Sequence, residues 1–232
     1  MDVSLYTARI QADVLKVRDD LEAAYDRHAD ATFFWAFVDL AGSSNYRIAH
    51  GPKDGYIRAE AFFALVRTVI APYSEIRLIK EIGDEVFLSA PSFRPLFESL
   101  LLIGETAHHL ALVVGTETYP FDVRGGIGFG AAKRLMRPHE DFVGSPIDQL
   151  ARIMAVRSER SDLLIHEEAY RPSEEILKEY KQFVAPGESR MIPENLLKGM
   201  KSPVYYREVL VDRQALGRFR DHFDPWKKRQ EP

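Results

Sequence analysis

The sequence predicts an α/β sandwich, in which helices flank a mixed, mostly antiparallel β-sheet. Two observations predict this fold class. Short runs of aromatic and β-branched residues, typical of strands, alternate with longer amphipathic stretches, typical of helices. The strand-like runs 76–80 and 85–89 are also separated by only four residues, which indicates a hairpin and therefore antiparallel pairing. Hairpins within the alternation favour a mixed sheet over an all-parallel one.

The individual elements follow from the same patterns. The run 33–40 is almost wholly apolar and ends at a Gly-Ser-Ser turn, as expected of a buried strand. A helix is predicted over 56–72, where one face carries Ile57, Ala61, Phe62, Leu65, Val66 and Val69. Further helices are predicted over 93–109, with an extension to 114, and over 146–154. Further strands are predicted over 121–129, 162–165 and 204–211, with a loop-rich stretch before the last one at Pro186, Gly187 and Pro193.

The chain divides into three predicted regions, of which the first comprises residues 1–30. Its residues follow alternating spacings of four and three, which is a heptad seam with Thr7 as the polar member: Val3, Thr7, Ile10, Val14, Val17, Leu21 and Ala24. This helix either packs on its own domain or pairs with a second copy of the chain, and the sequence leaves both open. Residues 31–211 are expected to form the main domain, and residues 212–232 a charged surface tail.

Composition excludes several classes of function. The chain of 232 residues has 31 Lys plus Arg against 35 Asp plus Glu, a formal net charge of −4, and no cysteine. Without cysteine it has no disulfides, thiol catalysis or iron–sulfur ligation. No apolar run approaches the roughly 18 residues of a membrane helix, and the N-terminus lacks a signal core. We therefore expect a cytoplasmic protein with no integral membrane segment, and its mild acidity argues against nucleic acid as a partner.

Two carboxylates are the first candidates for chemistry. Asp39 ends an apolar strand, and Asp84 lies in the turn of the predicted hairpin. A carboxylate at the mouth of a buried strand needs a cation or hydrogen-bond donors. If the two strands are neighbours, the pair could hold one or two Mg²⁺ or Mn²⁺ ions, which prefer oxygen ligands. The backbone amides of Gly42, Ser43 and Ser44 could face phosphate oxygens in the same place.

These residues carry a resemblance to a known family. The stretch 37–44, Phe-Val-Asp-Leu-Ala-Gly-Ser-Ser, resembles the first metal motif of the class III nucleotidyl cyclases, and 79–84, Ile-Lys-Glu-Ile-Gly-Asp, resembles the second. Residues 123–130 are similar to the family's Arg-Val-Gly-Ile-His-Thr-Gly strand. Residues 141–152 match its Asp-x-x-Gly-x-x-Val-Asn-x-Ala-x-Arg segment in spacing, and 163–170 and 197–204 resemble its closing elements. The motifs follow the family's order.

The resemblance implies a fold, a reaction and an assembly. The fold would be the ferredoxin-like class III cyclase domain, and the reaction would convert a nucleoside triphosphate to a 3′,5′-cyclic nucleotide and pyrophosphate. Asp39 and Asp84 would bind two Mg²⁺ or Mn²⁺ ions. Arg152 would stabilise charge on the α-phosphate, whereas Arg124 and Lys198 would contact the triphosphate. In this family the site is shared across a homodimer.

The sequence also departs from the family pattern. Asp148 stands where the family has an asparagine that orients the ribose, and a carboxylate can accept a hydrogen bond from a sugar hydroxyl but cannot donate one. Gly128 and Phe129 replace the histidine and threonine of the Gly-Ile-His-Thr-Gly segment. These departures leave a catalytically silent, nucleotide-binding domain as an alternative.

The resemblance places Lys80 and Asp141 at the base edge. Lysine only donates hydrogen bonds and ionised aspartate only accepts them, so the pair suits adenine, uracil or cytosine and excludes guanine. Tyr46 stands where cyclases commonly carry a smaller aliphatic residue, and its ring could fill the space beside a pyrimidine.

The turn Gly-Ser-Ser-Asn-Tyr also resembles that of the bacterial pyrimidine cyclases of antiphage signalling. We therefore expect a uridylate cyclase that makes cyclic UMP, with adenylate cyclase as the alternative. The stretch 82–87 also resembles the Gly-Gly-Asp-Glu-Phe hairpin of diguanylate cyclases, but segment 141–152 has no place in that family.

Overall fold

The computed structural model describes residues 3–27, 30–114, 122–137, 139–156, 163–193, 195, 197, 199–200, 202–212 and 215. Lys198 and most of the predicted tail 212–232 lie outside the described residues. The domain boundaries predicted from the sequence stay predictions.

The described strands form one eight-stranded sheet that is antiparallel apart from one pairing. The order is β2-β3-β1-β4-β6-β8-β7, with β5 paired to β4, and only β4 and β6 run parallel. The predicted mostly antiparallel sheet is confirmed. The strands are β1 (Asp30–Leu40), β2 (Arg77–Ile82), β3 (Glu85–Ala90), β4 (Val123–Arg137), β5 (His139–Val143), β6 (Leu163–His166), β7 (Val184–Met191) and β8 (Tyr205–Val211).

Helices cover both faces of the sheet. α3 and α4 pack on one face, and α5 packs on the other. Among the described residues, no helix combines the length and the apolar character that crossing a bilayer requires. The helices are α1 (Val3–Arg27), α2 (Ser43–His50), α3 (Pro52–Ile70), α4 (Phe93–Val114), α5 (Ser145–Met154), α6 (Glu167–Tyr170) and α7 (Glu174–Glu179).

β1 is buried on both faces because it lies in the middle of the sheet. Trp35 and Phe37 point toward the α5 face, whereas Ala36 and Val38 point toward the core formed with α3 and α4. Successive side chains of a strand point to opposite faces, so a central strand must be apolar at nearly every position. This requirement explains the run of apolar residues in the sequence. Asp39 lies near the end of the strand, where that run stops.

Small residues of β4 allow α5 to pack closely on the sheet. A Cβ added at Gly130 would lie 2.6 Å from Cγ of Pro146, and one at Gly128 would lie 3.4 Å from Cβ of Leu150. The glycine at 128, a departure from the family's histidine, therefore lies directly beneath this helix. The close contact fixes the height of α5 above the strand that carries Arg124.

The prediction of a loop-rich stretch around Pro186 and Gly187 is wrong. These residues lie in β7, which pairs with β8 and has an irregular register between Pro186 and Ser189. A proline cannot donate to a ladder, but it is tolerated at the edge of a sheet or at a bulge, and β7 is an edge strand.

The predicted buried face of α3 is shifted by one residue at its start. Ile57 is 43% exposed, whereas the neighbouring Arg58 is buried, at 4% exposed. The rest of the predicted face holds, with Phe62, Leu65 and Val66 in the core. Arg58 is buried at this position because its side chain contacts the turn after β1, as described below. α3 also begins earlier than predicted, at Pro52, and α2 begins at Ser43, directly after the turn that ends β1.

Candidate active site

Asp39 and Asp84 come together where β1 ends beside the β2–β3 hairpin. β1 and β3 are paired so that Asp39 lies opposite Glu85. The backbone N–H of Leu40 donates to the carbonyl of Asp84 at 3.1 Å. Gly83 forms the turn with φ of +65°, a conformation that favours glycine. The structure therefore brings together the two carboxylates that the sequence singles out, and their role as metal ligands stays a prediction.

Arg124 makes an ion pair with Asp39 across two neighbouring strands. β1 and β4 place the two residues opposite each other, and Nη2 of Arg124 lies 2.6 Å from Oδ2 of Asp39. Both side chains are largely buried, at 31% and 20% exposed respectively. Nε of Arg124 is buried with no hydrogen-bond partner among the described residues. The predicted phosphate-binding arginine is thus part of the carboxylate site, with donor capacity to spare.

Ser43 connects the turn after β1 to the second carboxylate. Its hydroxyl donates to Oδ2 of Asp84. Gly42 has φ of +69°, and only Ala41 and Gly42 separate the end of β1 from the start of α2. Ser44 is exposed in the first turn of α2. The predicted phosphate-binding turn therefore lies beside both carboxylates.

Glu85 is a third carboxyl of the site that the sequence argument missed. Burial raises its pKa to about 7, and the negative charges of Asp39 and Asp84 add to this rise, while Lys80 opposes it. In the sequence, the position of Glu85 directly after Asp84, at the start of an apolar strand, could have identified it as part of the site. Because Asp39 lies opposite Glu85 in the β1–β3 ladder and Asp84 directly precedes it, the three carboxyls form one region of negative potential.

Arg58 is a buried cation beneath the same turn, and it too was missed. Its Nη2 donates to the carbonyl of Ala41 at 3.1 Å. Burial lowers the pKa of Arg58, and Tyr46, Asp84 and Asp122 partly offset that effect. In the sequence, the position of Arg58 next to the apolar stripe of α3 could have identified it as a buried cation. Arg58 holds the backbone of the turn and adds positive charge near Asp84.

Tyr46 packs against residues of α2 and α3, and its role in base binding stays a prediction. Its ring stacks on His50 with centroids 4.3 Å apart, and the guanidinium of Arg58 lies 4.8 Å from its centroid. The ring is half-buried. Contacts within α2 and α3 therefore hold the ring in place.

Lys80 and Asp141 form an ion pair, although 61 positions separate them in the chain. Nζ of Lys80 lies 2.7 Å from Oδ1 of Asp141, and each side chain is 38% exposed. The same oxygen accepts the backbone N–H of Phe142 at 2.8 Å. The two predicted base readers thus lie together and partly open to solvent, with Asp141 held in orientation by its own strand.

Asp148 and Arg152 lie four residues apart on α5, and both side chains are exposed. The opposite face of α5 carries Leu150 and Met154, which pack on β4. Arg152 therefore points away from the core of its own chain, where a second chain could meet it. Lys198, the remaining predicted phosphate ligand, lies outside the described residues.

The carboxylate site fits a hard divalent cation. Asp39 and Asp84 offer oxygen donors beside a turn that could hold phosphate. No cluster of three or more His, Cys, Asp or Glu side chains arranged for a metal occurs among the described residues. Mg²⁺ is commonly bound by one or two carboxylates together with substrate phosphates and water, so two aspartates suffice for this type of site. A dedicated all-protein metal cage is not what this arrangement resembles.

Solved structures of cyclases share this fold. The adenylyl cyclase CyaB from P. aeruginosa superposes with a TM-score of 0.65 at 15% identity, covering 80% of this chain and 97% of that one. The guanylyl cyclase Cya2 gives 0.61 at 16% identity, with 80% and 95% covered. The catalytic core of a rhodopsin–guanylyl cyclase with converted specificity, in complex with ATPαS, gives 0.62 at 14% identity, with 78% and 97% covered.

The chain has the class III cyclase fold. The fold class predicted from the sequence motifs is thereby confirmed. No family model matches the sequence, and no curated protein matches it. The identities to the cyclase structures are low, so the assignment rests on the shape of the domain.

Proposed function

We propose that this protein is a nucleotidyl cyclase that converts a nucleoside triphosphate to a 3′,5′-cyclic nucleotide and pyrophosphate. The observation that carries the proposal is the convergence of Asp39 and Asp84 where the central strand β1 of a cyclase-type sheet ends, beside the Gly42–Ser44 turn. In the proposed reaction the ribose 3′-oxygen bonds to the α-phosphorus, and the bond from that phosphorus to the bridging oxygen of the β-phosphate breaks. Pyrophosphate leaves with the bridging oxygen, and the hydroxyl proton passes to solvent water.

The chain's own residues divide the work as follows. Two divalent ions, Mg²⁺ or Mn²⁺, held by Asp39 and Asp84, would supply activation of the 3′-hydroxyl and charge neutralisation of the triphosphate. The amides of Gly42, Ser43 and Ser44 would donate to phosphate oxygens. Arg124 would bind the triphosphate through the donors that Asp39 does not use, and Lys198 would add a second cation.

A second copy of the chain would complete the site. Asp148 and Arg152 are exposed on the outer face of α5, so we assign them to the site of the partner chain. There Arg152 would stabilise the charge that develops on the α-phosphate, and Asp148 would accept a hydrogen bond from the ribose. A homodimer would hold two such composite sites.

UTP is the proposed substrate. The Lys80–Asp141 pair offers one donor and one acceptor, which suits uracil, with Lys80 donating to O4 and Asp141 accepting from N3–H. The ring of Tyr46 would fill volume that a purine needs. The resemblance of the Tyr46 turn to pyrimidine cyclases of antiphage signalling supports cyclic UMP as a signal of phage infection.

ATP is the second candidate. The same pair suits adenine, with Lys80 donating to N1 and Asp141 accepting from the amino group. The packing of Tyr46 against His50 favours this candidate, because a ring already held by its own helices is less available to a base. A silent nucleotide-binding domain is the third, favoured by the carboxylate of Asp148.

An activity assay tests the proposal. The purified protein is incubated with Mn²⁺ and with ATP, GTP, CTP or UTP in four separate reactions. We expect cyclic UMP as the main product by chromatography and mass spectrometry. Cyclic AMP alone would contradict the pyrimidine assignment and leave the cyclase assignment intact. Absence of product from all four nucleotides, with nucleotide binding retained, would support the silent domain.

Variants connect the product to the site. Asp39→Ala should abolish product formation. Glu179→Ala on α7 is the control, because Glu179 likewise pairs with an arginine, Arg94 of α4, but lies on a different element. Turnover that survives in Asp39→Ala would break the assignment of the carboxylate site. Tyr46→Ala should shift base choice toward purines, and unchanged selectivity would remove Tyr46 from the proposal.

A further inference from the structure

Arg58 contacts two parts of the candidate site at once. Arg58 is only 4% exposed, and its Nη2 donates to the carbonyl of Ala41 at 3.1 Å. The carbon at the centre of the same guanidinium lies 4.8 Å from the centroid of the Tyr46 ring. One buried side chain of α3 thus joins the turn that is assigned to phosphate and the ring that is assigned to the base.

The packing of α2 against α3 brings Arg58 to this position. Gly55 lies three residues before Arg58 on α3, and a Cβ added there would lie 3.0 Å from Cβ of Arg47 on α2. The distance between packed helices depends on the size of the side chains at their contact, so glycine at this position lets α2 and α3 approach closely. Tyr46 directly precedes Arg47, and the same approach brings its ring within reach of the guanidinium.

The hydrogen bond from Arg58 fixes the direction of one peptide group in the turn. A trans peptide group is planar, and its C=O and N–H point in opposite directions. No cis peptide bond occurs in the described part of the chain. Because the carbonyl of Ala41 points to Arg58, the N–H of Gly42 points away from it. The N–H of Ala41 is fixed as well, since it donates to the carbonyl of Asp122 at 2.7 Å.

Arginine suits this double contact better than lysine does. A guanidinium is planar and carries five N–H donors, so it can donate to a carbonyl and lie over an aromatic ring at the same time, whereas an ammonium is a compact point charge. Burial of the charge costs free energy. The negative charges of Asp84 and Asp122 act on Arg58 and offset part of that cost.

We infer that Arg58 is a positioning residue that couples the triphosphate end of the site to its base end. It directs the Gly42 amide toward the phosphates and holds the ring of Tyr46 beside the base, so that a change at one contact alters the other. Both roles rest on the proposed function, which assigns the turn to phosphate and Tyr46 to the base. Because Arg58 is buried, it acts through these two groups and makes no contact with substrate.

A ligand that has no base tests the coupling. The probe is inorganic tripolyphosphate with Mn²⁺, and isothermal titration calorimetry measures its affinity for the full chain. Arg58→Met should bind the probe roughly tenfold more weakly, because a hydrogen bond from a charged donor no longer holds the turn. Arg58→Lys, which keeps the charge but not the double contact, should bind with intermediate affinity. Arg94→Met is the matched control, since Arg94 also lies over a tyrosine ring, that of Tyr180, and it should bind as the wild type does.

Tyr46→Leu provides the second measurement. Although the probe has no base, this variant should bind it roughly threefold more weakly, because the guanidinium loses one of its two contacts. In the double variant with Arg58→Met, the loss should be no greater than in Arg58→Met alone, since coupled residues do not contribute additively. Thermal denaturation checks that each variant is folded, and Arg58→Lys replaces Arg58→Met in the same cycle if the latter does not fold.

The outcomes separate the coupling from the proposed reaction. Wild-type affinity in the folded Arg58 variants would overturn the inference, and so would fully additive losses in the double variant or a wild-type chain that does not bind the probe. The probe cannot be cyclised, so its binding does not require cyclase activity. A chain that shows the coupling but forms no cyclic nucleotide would contradict the proposed reaction and leave the role of Arg58 standing.

Discussion

The carboxylate that we assign to a metal ion is held by a cation of the protein itself. Arg124 lies 2.6 Å from Asp39 across the β1–β4 ladder, and Ser43 donates to Asp84. A divalent ion that binds both aspartates must therefore compete with two internal donors. Triphosphate would draw Arg124 toward the substrate, so nucleotide and metal should bind cooperatively.

Arg124→Met should consequently bind Mn²⁺ more tightly than the wild type in the absence of nucleotide. Loss of a charged hydrogen bond and of a nearby cation predicts roughly tenfold tighter binding, measured by the Mn²⁺ electron paramagnetic resonance signal. Arg94→Met, which breaks the ion pair with Glu179 at the start of α4, is the matched control and should leave Mn²⁺ binding unchanged. Unchanged or weaker Mn²⁺ binding in Arg124→Met would show that Arg124 does not compete for Asp39.

Base choice is the second prediction at this scale. Asp141→Ala should lower kcat/KM for UTP by about tenfold or more, because a donor on the base then has no acceptor. The ratio of kcat/KM for UTP over GTP should fall at the same time. The pair is 38% exposed on each side, so we expect little loss of stability, and thermal denaturation checks this. An unchanged ratio would remove the pair from base recognition.

His166 gives a prediction about pH. It is buried at the end of β6, and burial lowers its pKa, as does Arg171, while Glu167 and Glu168 partly offset the shift. The unfolded chain then binds a proton more readily than the folded one, so this residue reduces the free energy of unfolding as pH falls below about 6.5. His166→Gln should show a smaller loss of stability between pH 7.5 and 5.5 in denaturant titrations. An equal loss would exclude this residue as the cause.

At the scale of elements, the contact between α5 and β4 positions the helix that carries Arg152. Gly130 has φ of +147°, and an added Cβ would meet the rigid ring of Pro146. α5 can be that close only because β4 presents small residues beneath it. The position of Arg152 in space thus depends on residues that make no contact with substrate.

Gly130→Ala should therefore destabilise the protein by about 1–3 kcal/mol in denaturant titration, because the cost of overpacking adds to that of the backbone conformation. Gly104→Ala on α4 is the matched control. Nothing lies within 4 Å of a Cβ at Gly104, and alanine is favoured over glycine in a helix by about 1 kcal/mol. Gly104→Ala should therefore leave the free energy of unfolding unchanged or raise it. If Gly130→Ala lowers the free energy of unfolding no more than Gly104→Ala does, the close packing is contradicted.

The sequence predicts the elements whose signals are local and misses those that depend on tertiary contacts. β1 and the hairpin are read from apolar runs and a turn, so Asp39 and Asp84 could be placed in advance. β7 could not be predicted from the sequence, because Pro186 is tolerated in a strand only when that strand lies at the edge of the sheet. Arg58 and Glu85 were missed because only the fold shows that they face Asp84, and the Lys80–Asp141 pair needed the family resemblance.

At the scale of the whole molecule, the net charge of −4 describes the chain poorly. Asp39, Asp84 and Glu85 create a local negative region, and Arg58 and Arg124 lie within it as fixed cations. Such an arrangement suits a ligand that brings its own metal, as a nucleoside triphosphate does. The exposure of Arg152 on α5 agrees with the proposal that a second copy of the chain completes the site.

The central claim is that two chains share one cyclase site, and a mixing experiment tests it most directly. Asp39→Ala and Arg152→Ala chains should each form almost no cyclic nucleotide alone. After mixing in equal amounts with exchange of chains, activity should return to about one quarter of the wild-type value, because half of the dimers carry unlike chains and each has one intact site. A mixture as inactive as its components, with mixed dimers demonstrated, would contradict the shared site.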